Sequence, residues 1–206
     1  MDLTMIQRKL KSTLSLLAII GAITASSLAN SSPNVHIKKV GFAGNGCNPS
    51  STKIRLNSNN NKLTVSTSDF YAETYRGRKR FDRVKCDISV NVKAPRGFQV
   101  RIKDATYKGY ISLPRGSKAK FNREYFFAGQ KGPRYSDSWQ GKTRQMIYKK
   151  DKPFRYSNWS SCGANTMLRM KASMKLKGNG QHASIGILNN QRRASWSYTL
   201  DYRRCR

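Results

Sequence analysis

The chain has 206 residues and carries 40 lysines and arginines against 10 aspartates and glutamates, a formal net charge of +30. A small domain stays soluble with a net charge of about 2 to 8. The surplus of basic residues excludes a surface that is neutral or acidic as a whole, whatever the fold. It indicates partners or surroundings that carry negative charge.

The first 29 residues have the pattern of an export signal. A basic start at 8–11 precedes an apolar stretch at 14–25, and Ser27-Leu28-Ala29 offers small residues where a signal peptidase reads the chain. A membrane anchor is the alternative, but the apolar stretch is shorter than the roughly 20 residues of a spanning helix. We therefore predict cleavage after Ala29. No second long apolar run follows, so we expect a single exported domain, 30–206, without an integral membrane span.

Period-two alternation of apolar and polar residues dominates the rest of the chain and is typical of strands with one wet face. Turn residues separate these runs, and no segment after the leader combines a helical period with caps. The pattern predicts an all-β fold, an antiparallel β-sandwich of jelly-roll-like type. The strands expected, in chain order, are 35–42, 52–57, 62–66, 68–75, 86–92, 98–102, 107–113, 119–128, 168–176, 182–188 and 196–202.

The segment 76–85 holds six basic residues and one acid in ten positions. It lies between two predicted strands, so we expect a loop. Clustered guanidinium groups suit phosphate, sulfate or carboxylate, because each fork of donors can bind two oxygens. The alternative is a solvated charge run with no partner. The candidate anion-binding residues of the segment 76–85 are Arg76, Arg78, Lys79, Arg80, Arg83 and Lys85.

The segment 129–161 is polar but dotted with aromatic residues, and we expect a long loop. Such loops are uncommon unless they are functional or mobile. One interpretation is an excursion pinned to the sandwich by its aromatic rings; the other is a recognition loop. A second basic cluster lies here, consisting of Lys142, Arg144, Lys149 and Lys150. The rings that could stack on a sugar are Tyr135, Trp139 and Tyr156.

Four cysteines, Cys47, Cys86, Cys162 and Cys205, all lie beyond the leader. An even number in an exported chain favours two disulfides, for which three pairings are possible. We favour Cys47–Cys86 with Cys162–Cys205, because each pair would close one half of the chain. A metal site is improbable, since no two cysteines are near one another in sequence.

Five motifs together resemble the secreted domain-of-unknown-function family 4360. They are Gly44-Asn45-Gly46-Cys47, the strand 86–90, the turn 94–98, the strand 107–113 and Trp159-Ser160-Ser161-Cys162-Gly163. They occur in the family's order, and Cys205 closes the chain where the family ends. The final Trp-x-x-Cys differs, because Tyr202 stands in place of the tryptophan. The resemblance implies export, a β-rich fold and two cystines, and it supplies no activity and no catalytic residue.

Enzymatic chemistry has little support in the sequence. His36 and His182 stand alone, no paired carboxylates are marked, and phosphate loops, nucleophile elbows and zinc-binding helices are absent. We therefore predict a non-catalytic protein without cofactor or metal.

The leading hypothesis is a monomeric exported sandwich whose basic loops bind anionic polymers such as nucleic acid, lipopolysaccharide or an acidic glycan. A carbohydrate-binding module that uses the aromatic loop is the alternative, and a secreted hydrolase or toxin comes third.

Overall fold

A computed structural model describes residues 33, 35–59, 61–153, 159–163, 165–187 and 194–205. The chain divides into two units, Met1–Ser31 and Ser32–Arg206, and all the described residues belong to the second. The export signal predicted over 1–29 lies outside the described residues and stays a prediction.

The described residues form twelve strands, whose pairings are all antiparallel. This arrangement confirms the predicted all-β antiparallel fold. The strands are β1 His36–Ala43, β2 Thr52–Leu56, β3 Lys62–Thr67, β4 Tyr71–Thr74, β5 Phe81–Lys93, β6 Phe98–Leu113, β7 Lys118–Phe127, β8 Arg134–Gln140, β9 Thr143–Asp151, β10 Asn165–Lys177, β11 Ala183–Gly186 and β12 Ala194–Arg204.

The strands build two sheets. The front sheet has the order β1-β5-β10-β7-β8, and the back sheet has the order β2-β3-β12-β6-β11-β4, with β9 also paired to β6. The connection between β8 and β9 crosses from the edge of the front sheet, where β8 pairs with β7, to the back sheet, where β9 pairs with β6. Because side chains alternate along each strand, one face of each sheet is left for the core and the other for solvent.

The core lies between the sheets and takes the apolar residue of each alternating pair. Val84, Val90 and Met174 come from the front sheet, and Ile111 and Trp196 come from the back sheet; all five are buried. Burying such side chains supplies about 25 cal/mol per Å² of apolar surface, the largest favourable contribution to a fold of this kind.

Two segments expected to be loops contain strands, and both expectations are corrected. Only residues 76–80 of the basic segment lie in a turn, and β5 then runs from Phe81 through Arg83 and Lys85. The strand extends this far because β10 is equally long and pairs with it from Lys177 onward. Among Phe81–Lys85, Val84 is the residue that is buried in the core.

The segment 129–161 contains the strands β8 and β9 instead of a long loop. The apolar pattern of these strands is weak because several inward positions hold polar residues. Asp137 on β8 and Lys149 and Asp151 on β9 face the inter-sheet space, where they form ion pairs. A pattern based on hydrophobicity cannot register strands of this composition.

Both favoured disulfides are present. Cys47 is joined to Cys86 with a Cα–Cα distance of 5.1 Å, and Cys162 is joined to Cys205 at 5.8 Å. The first ties the β1–β2 connection to β5, and the second ties the segment before β10 to the end of the chain. The pairing follows the prediction that each bridge closes one half of the chain.

Candidate functional site

Cations line up across three strands on the outer face of the front sheet. Arg83 on β5 lies opposite Lys175 on β10, and Lys175 lies opposite Lys120 on β7. One pleat further along, Lys177 lies opposite Lys118. All five side chains are exposed. We call Arg83, Lys118, Lys120, Lys175 and Lys177 the cationic rows.

The cationic rows are not neutralised by neighbouring acids. None of the five residues takes part in an ion pair among the described residues. Directly opposed side chains in a sheet have Cβ atoms about 5 Å apart, and like charges there destabilise the pairing. The sheet thus keeps an arrangement that costs stability.

Four turns meet at the end of the sandwich next to these rows. The backbone amide of Gly178 donates to the carbonyl of Arg80 at 2.9 Å, and that of Gly141 donates to the carbonyl of Ser117 at 3.0 Å. The side-chain amide of Asn179 donates to the carbonyl of Arg115. These bonds join the turn of the basic segment to the β10–β11 turn, the β10–β11 turn to the β6–β7 turn, and the β6–β7 turn to the β8–β9 turn.

The four joined turns carry a second set of cations. Lys79 is paired with Asp82 at 2.8 Å. The other basic side chains of the turns are exposed and form no ion pair with a described acid. We call Arg76, Arg78, Arg80, Arg115 and Lys142 the basic end. Phe81, which follows the turn of the basic segment, pairs with Lys177. The basic end therefore adjoins the row formed by Lys177 and Lys118.

The motif Gly44-Asn45-Gly46-Cys47 holds β5 in place beneath its cations. The Asn45 side-chain amide donates to the carbonyl of Arg83, and its oxygen accepts from the amide of Lys85, both at 2.9 Å. Gly44 has a φ of 105°, and a Cβ there would lie 2.4 Å from the carbonyl oxygen of Lys85. Only glycine permits this close approach.

A trench lies beside the cationic rows on the same face. Its floor consists of the short polar side chains Ser173, Asn122 and Ser136, opposed across β10, β7 and β8. Its volume is about 510 Å³. Arg83 lines one side, and on the other side lie Asp87, Lys171, Glu124 and Arg134, one from each of β5, β10, β7 and β8.

The structure brings together some of the candidate anion-binding residues and separates others. Arg76, Arg78, Lys79, Arg80 and Lys142 lie in the joined turns, and Arg83 and Lys85 lie on the adjoining strand face. The rest of the second cluster lies apart from this end. Arg144 and Lys150 are exposed on β9 in the back sheet, and Lys149 points inward to Asp137 at 2.6 Å.

Sequence reasoning missed four members of this surface: Arg115, Lys118, Lys120 and Lys177. Lys175 alternates with the apolar residues of the predicted strand 168–176, but its neighbours on other strands cannot be read from the sequence, since pairing of β5 with β10 and of β10 with β7 joins residues far apart in the chain. The available signal was the outward parity of Lys120 on the predicted strand 119–128, which Lys118 continues just before it.

Two of the three rings predicted for sugar stacking are described, and both are half-buried beside surface pockets. Tyr135 and Trp139 are on the inward side of β8 and pack against the core. The Lys149 ammonium lies 5.6 Å from the centroid of the Trp139 ring. Tyr156 lies outside the described residues.

A chain of polar groups runs through the core behind β7. Arg123 and Asp151, 3% and 4% exposed, form two hydrogen bonds of 2.7 and 2.9 Å. The Tyr125 hydroxyl donates to Asp151 at 2.6 Å and lies 2.9 Å from the Tyr107 hydroxyl. The Tyr107 hydroxyl in turn lies 3.1 Å from that of Tyr198. Buried polar groups with complete partners rigidify a core.

Burial and charge set the ionisation of this network. Burial raises the pKa of Tyr107, Tyr125 and Tyr198, so these phenols stay neutral. Burial alone would lower the pKa of Arg123, but Asp151 outweighs it and the pKa is raised. Burial likewise opposes ionisation of Asp137, yet hydrogen bonds from Lys149 and Arg123 lower its pKa below the ordinary 3.8. The network is a charged structural core.

The described residues contain no cluster of three His, Cys, Asp or Glu side chains that could hold a metal ion. Nor does any helix within them have the length and hydropathy needed to cross a membrane.

The fold and the motifs define a disulfide-bonded, all-β secreted domain. The family model "Domain of unknown function (DUF4360)" matches residues 33–205, and the chain belongs to that family. This confirms the resemblance carried by the five motifs.

A curated relative agrees with this assignment. It is an "Uncharacterized secreted protein" of Arthroderma benhamiae, 29% identical over 159 residues, a match that covers 76% of this chain and 64% of the relative. The chain thus matches somewhat less than two thirds of that relative's length. The protein is a secreted one, because its two disulfides suit an oxidising compartment and its relative is itself secreted.

Among solved structures, three carbohydrate-binding modules were matched at low similarity. One, in complex with β-1,4-galactotriose, has a TM-score of 0.23 and 9% identity, covering 82% of this chain and 90% of that one. A mannan-recognising module has a TM-score of 0.30 and 8% identity, covering 83% and 99%. A family 11 module from Clostridium thermocellum, in complex with a mixed-linked tetrasaccharide, has a TM-score of 0.21 and 10% identity, covering 82% and 88%. Similarity at this level carries no argument about function.

Proposed function

We propose that this secreted protein is a non-catalytic binder of anionic polymers, and that the basic end and the cationic rows form its binding surface. The observation that carries the proposal is the uninterrupted row Arg83–Lys175–Lys120, three cations on adjacent strands without an acid between them. Natural sheets usually set opposite charges across from one another, because that contact is favourable. A row of like charges gains its stability when a polyanion covers it.

The spacing of the cations suits a chain of anions. Neighbouring strands are about 5 Å apart, and two residues along a strand span about 7 Å. A flexible polymer that carries phosphate, sulfate or carboxylate groups can therefore meet several cations at once. Arg83 and the arginines of the basic end supply paired donors, and the lysines supply point charges.

Binding of this kind releases counterions and weakens as salt rises. The slope of log K against log salt is about one unit for each phosphate that is neutralised. The test is retention on immobilised heparin and on immobilised DNA at low salt, with an uncharged resin as control. We expect retention on both polyanions and elution by salt. Retention no greater than on the uncharged resin would overturn the proposal.

A further inference from the structure

We propose that the trench of the front sheet binds an acidic polysaccharide, in extended conformation, across strands β5, β10, β7 and β8. This inference rests on the proposed function and names the class of polyanion. The chain would lie over Ser173, Asn122 and Ser136, with its anionic groups toward the cationic rows.

The floor of the trench is built for hydroxyl groups. Ser173, Asn122 and Ser136 all offer hydrogen-bonding groups to solvent from short side chains. The Ser136 hydroxyl donates to the Asn122 side-chain oxygen at 3.0 Å, which leaves the Asn122 amide group facing the trench as a donor. A sugar ring carries several hydroxyls that both donate and accept, so it can bind side chains of this kind.

The two walls of the trench differ in charge. On one side the trench is lined by Arg83, whose register row continues through Lys175 and Lys120 and is purely cationic. The other wall alternates in sign, with Asp87 opposite Lys171, Lys171 opposite Glu124, and Glu124 opposite Arg134.

The alternating wall is internally neutralised. Its two acids balance its two bases, and Arg134 and Glu124 form an ion pair of 2.9 Å. This wall therefore has no net charge, and it can offer hydrogen bonds to a ligand. A uronic acid chain presents carboxylates and hydroxyls together, and it matches a trench with one charged and one polar wall.

The dimensions also fit a glycan. Four strands span three gaps of about 4.8 Å, so the trench is about 14 Å long, enough for about three sugar residues of an extended chain. Single-stranded nucleic acids are usually held by aromatic side chains that stack on bases. The floor positions of this trench are Lys85, Ser173, Asn122 and Ser136, which provide no such ring. Tyr135 also lines the trench, but it lies on the inward side of β8 and packs against the core. These features favour the glycan over nucleic acid.

Filling the trench without changing its charge tests the inference. Ser173→Leu places a larger apolar side chain on the floor, and Ser136→Leu does the same on β8. Ser197→Leu is the matched control, because it makes the same substitution on the outer face of the back sheet, where Ser197 lies between Thr64 and Thr106. Circular dichroism and thermal melting confirm that each variant is folded.

The ligands are a hexamer of galacturonic acid, a neutral glucose hexamer and a single-stranded DNA oligonucleotide, measured by calorimetry. We expect the wild type to bind the acidic hexamer and not the neutral one. Each trench variant should lose about ten-fold in affinity for the acidic hexamer, because buried hydrogen bonds are lost, while the control variant should keep it. DNA binding should be the same in all four proteins.

The alternative outcomes separate this inference from the proposed function. Equal binding of the acidic hexamer by all four proteins would overturn the trench as its site and leave polyanion binding intact. Loss of DNA binding in the trench variants would assign the trench to nucleic acid and overturn the glycan. If the wild type bound neither the acidic hexamer nor the DNA, both proposals would be overturned.

Discussion

Arg83 and Lys175 lie directly opposite one another on adjacent strands, although neither forms an ion pair with a described acid. The Cβ atoms of two residues in this relationship are about 5 Å apart, and their like charges repel each other whenever no ligand covers the surface. The proposed polyanion binding offers a reason for the sheet to keep this pair, because a bound anion would relieve the repulsion.

The substitution Lys175→Ser removes the central cation of the row. We expect the free energy of unfolding to rise by about 0.2 to 1 kcal/mol at low salt, since two like-charge contacts are relieved. The gain should vanish near 1 M salt, where the screening length is about 3 Å. Urea denaturation at the two salt concentrations measures this. Lys53→Ser is the control, because Lys53 lies opposite the neutral Ser66; an equal gain there would contradict the account.

The Arg123–Asp151 pair predicts a large loss of stability when one partner is removed. Arg123→Ala leaves the buried Asp151 carboxylate with fewer partners, and such a change costs about 3 to 5 kcal/mol. The exposed pair of Arg134 and Glu124 is the comparison, and Arg134→Ala should cost less than about 1 kcal/mol. Chemical denaturation of both variants checks the difference, and equal losses would show that the buried network is not what rigidifies the core.

Asp137 predicts a loss of stability in acid. Its pKa in the folded protein is below the ordinary 3.8. Its contribution is therefore present above about pH 4 and is lost as the pH falls through the lowered pKa. Asp137→Asn should be less stable than the wild type at about pH 5, and the difference should shrink as the pH is lowered below 3.8. Unfolding curves over this pH range measure this, and a constant difference would refute the assigned ionisation.

The two disulfides predict separate losses on removal. Their sequence separations are 39 and 43 residues. For loops of this size the chain-entropy model gives about 4 kcal/mol for each bridge. We expect the double variant Cys47→Ser, Cys86→Ser and the double variant Cys162→Ser, Cys205→Ser to lose similar stability. Thermal melting under non-reducing conditions measures both, and an unchanged melting temperature for either would be inconsistent with the pairing.

Much of the fold could be predicted from the sequence, because apolar alternation carries the strand signal wherever one face is buried. Leu168 to Leu176 on β10 shows this, with every second residue in the core. The signal failed where polar residues face inward. On β8 and β9, Asp137, Lys149 and Asp151 satisfy one another across the inter-sheet space, and no local pattern reveals a partner that is distant in sequence.

The candidate site was predictable in composition but not in shape. The charge of the segment 76–85 is visible at once, and its placement in a loop followed from the apparent boundaries of the neighbouring strands. Strand pairing then places Arg83 opposite Lys175, which is 92 positions away in the sequence, and Lys175 opposite Lys120, which is 55 positions away. Such a register is set by the whole sheet, and it also creates the trench, which no single segment encodes.

The central claim is that a coherent cationic surface binds polyanions, and two charge-matched variants test it most directly. One replaces Arg83, Lys120 and Lys175 by serine, and the other replaces Lys53, Arg55 and Lys62 of β2 and β3, which are exposed on the back sheet. Both lose the same net charge. The measurement is the salt dependence of heparin binding. We expect the first variant to lose about two to three units of the log–log slope and the second to keep the wild-type slope. Equal slopes in the two variants would contradict the account.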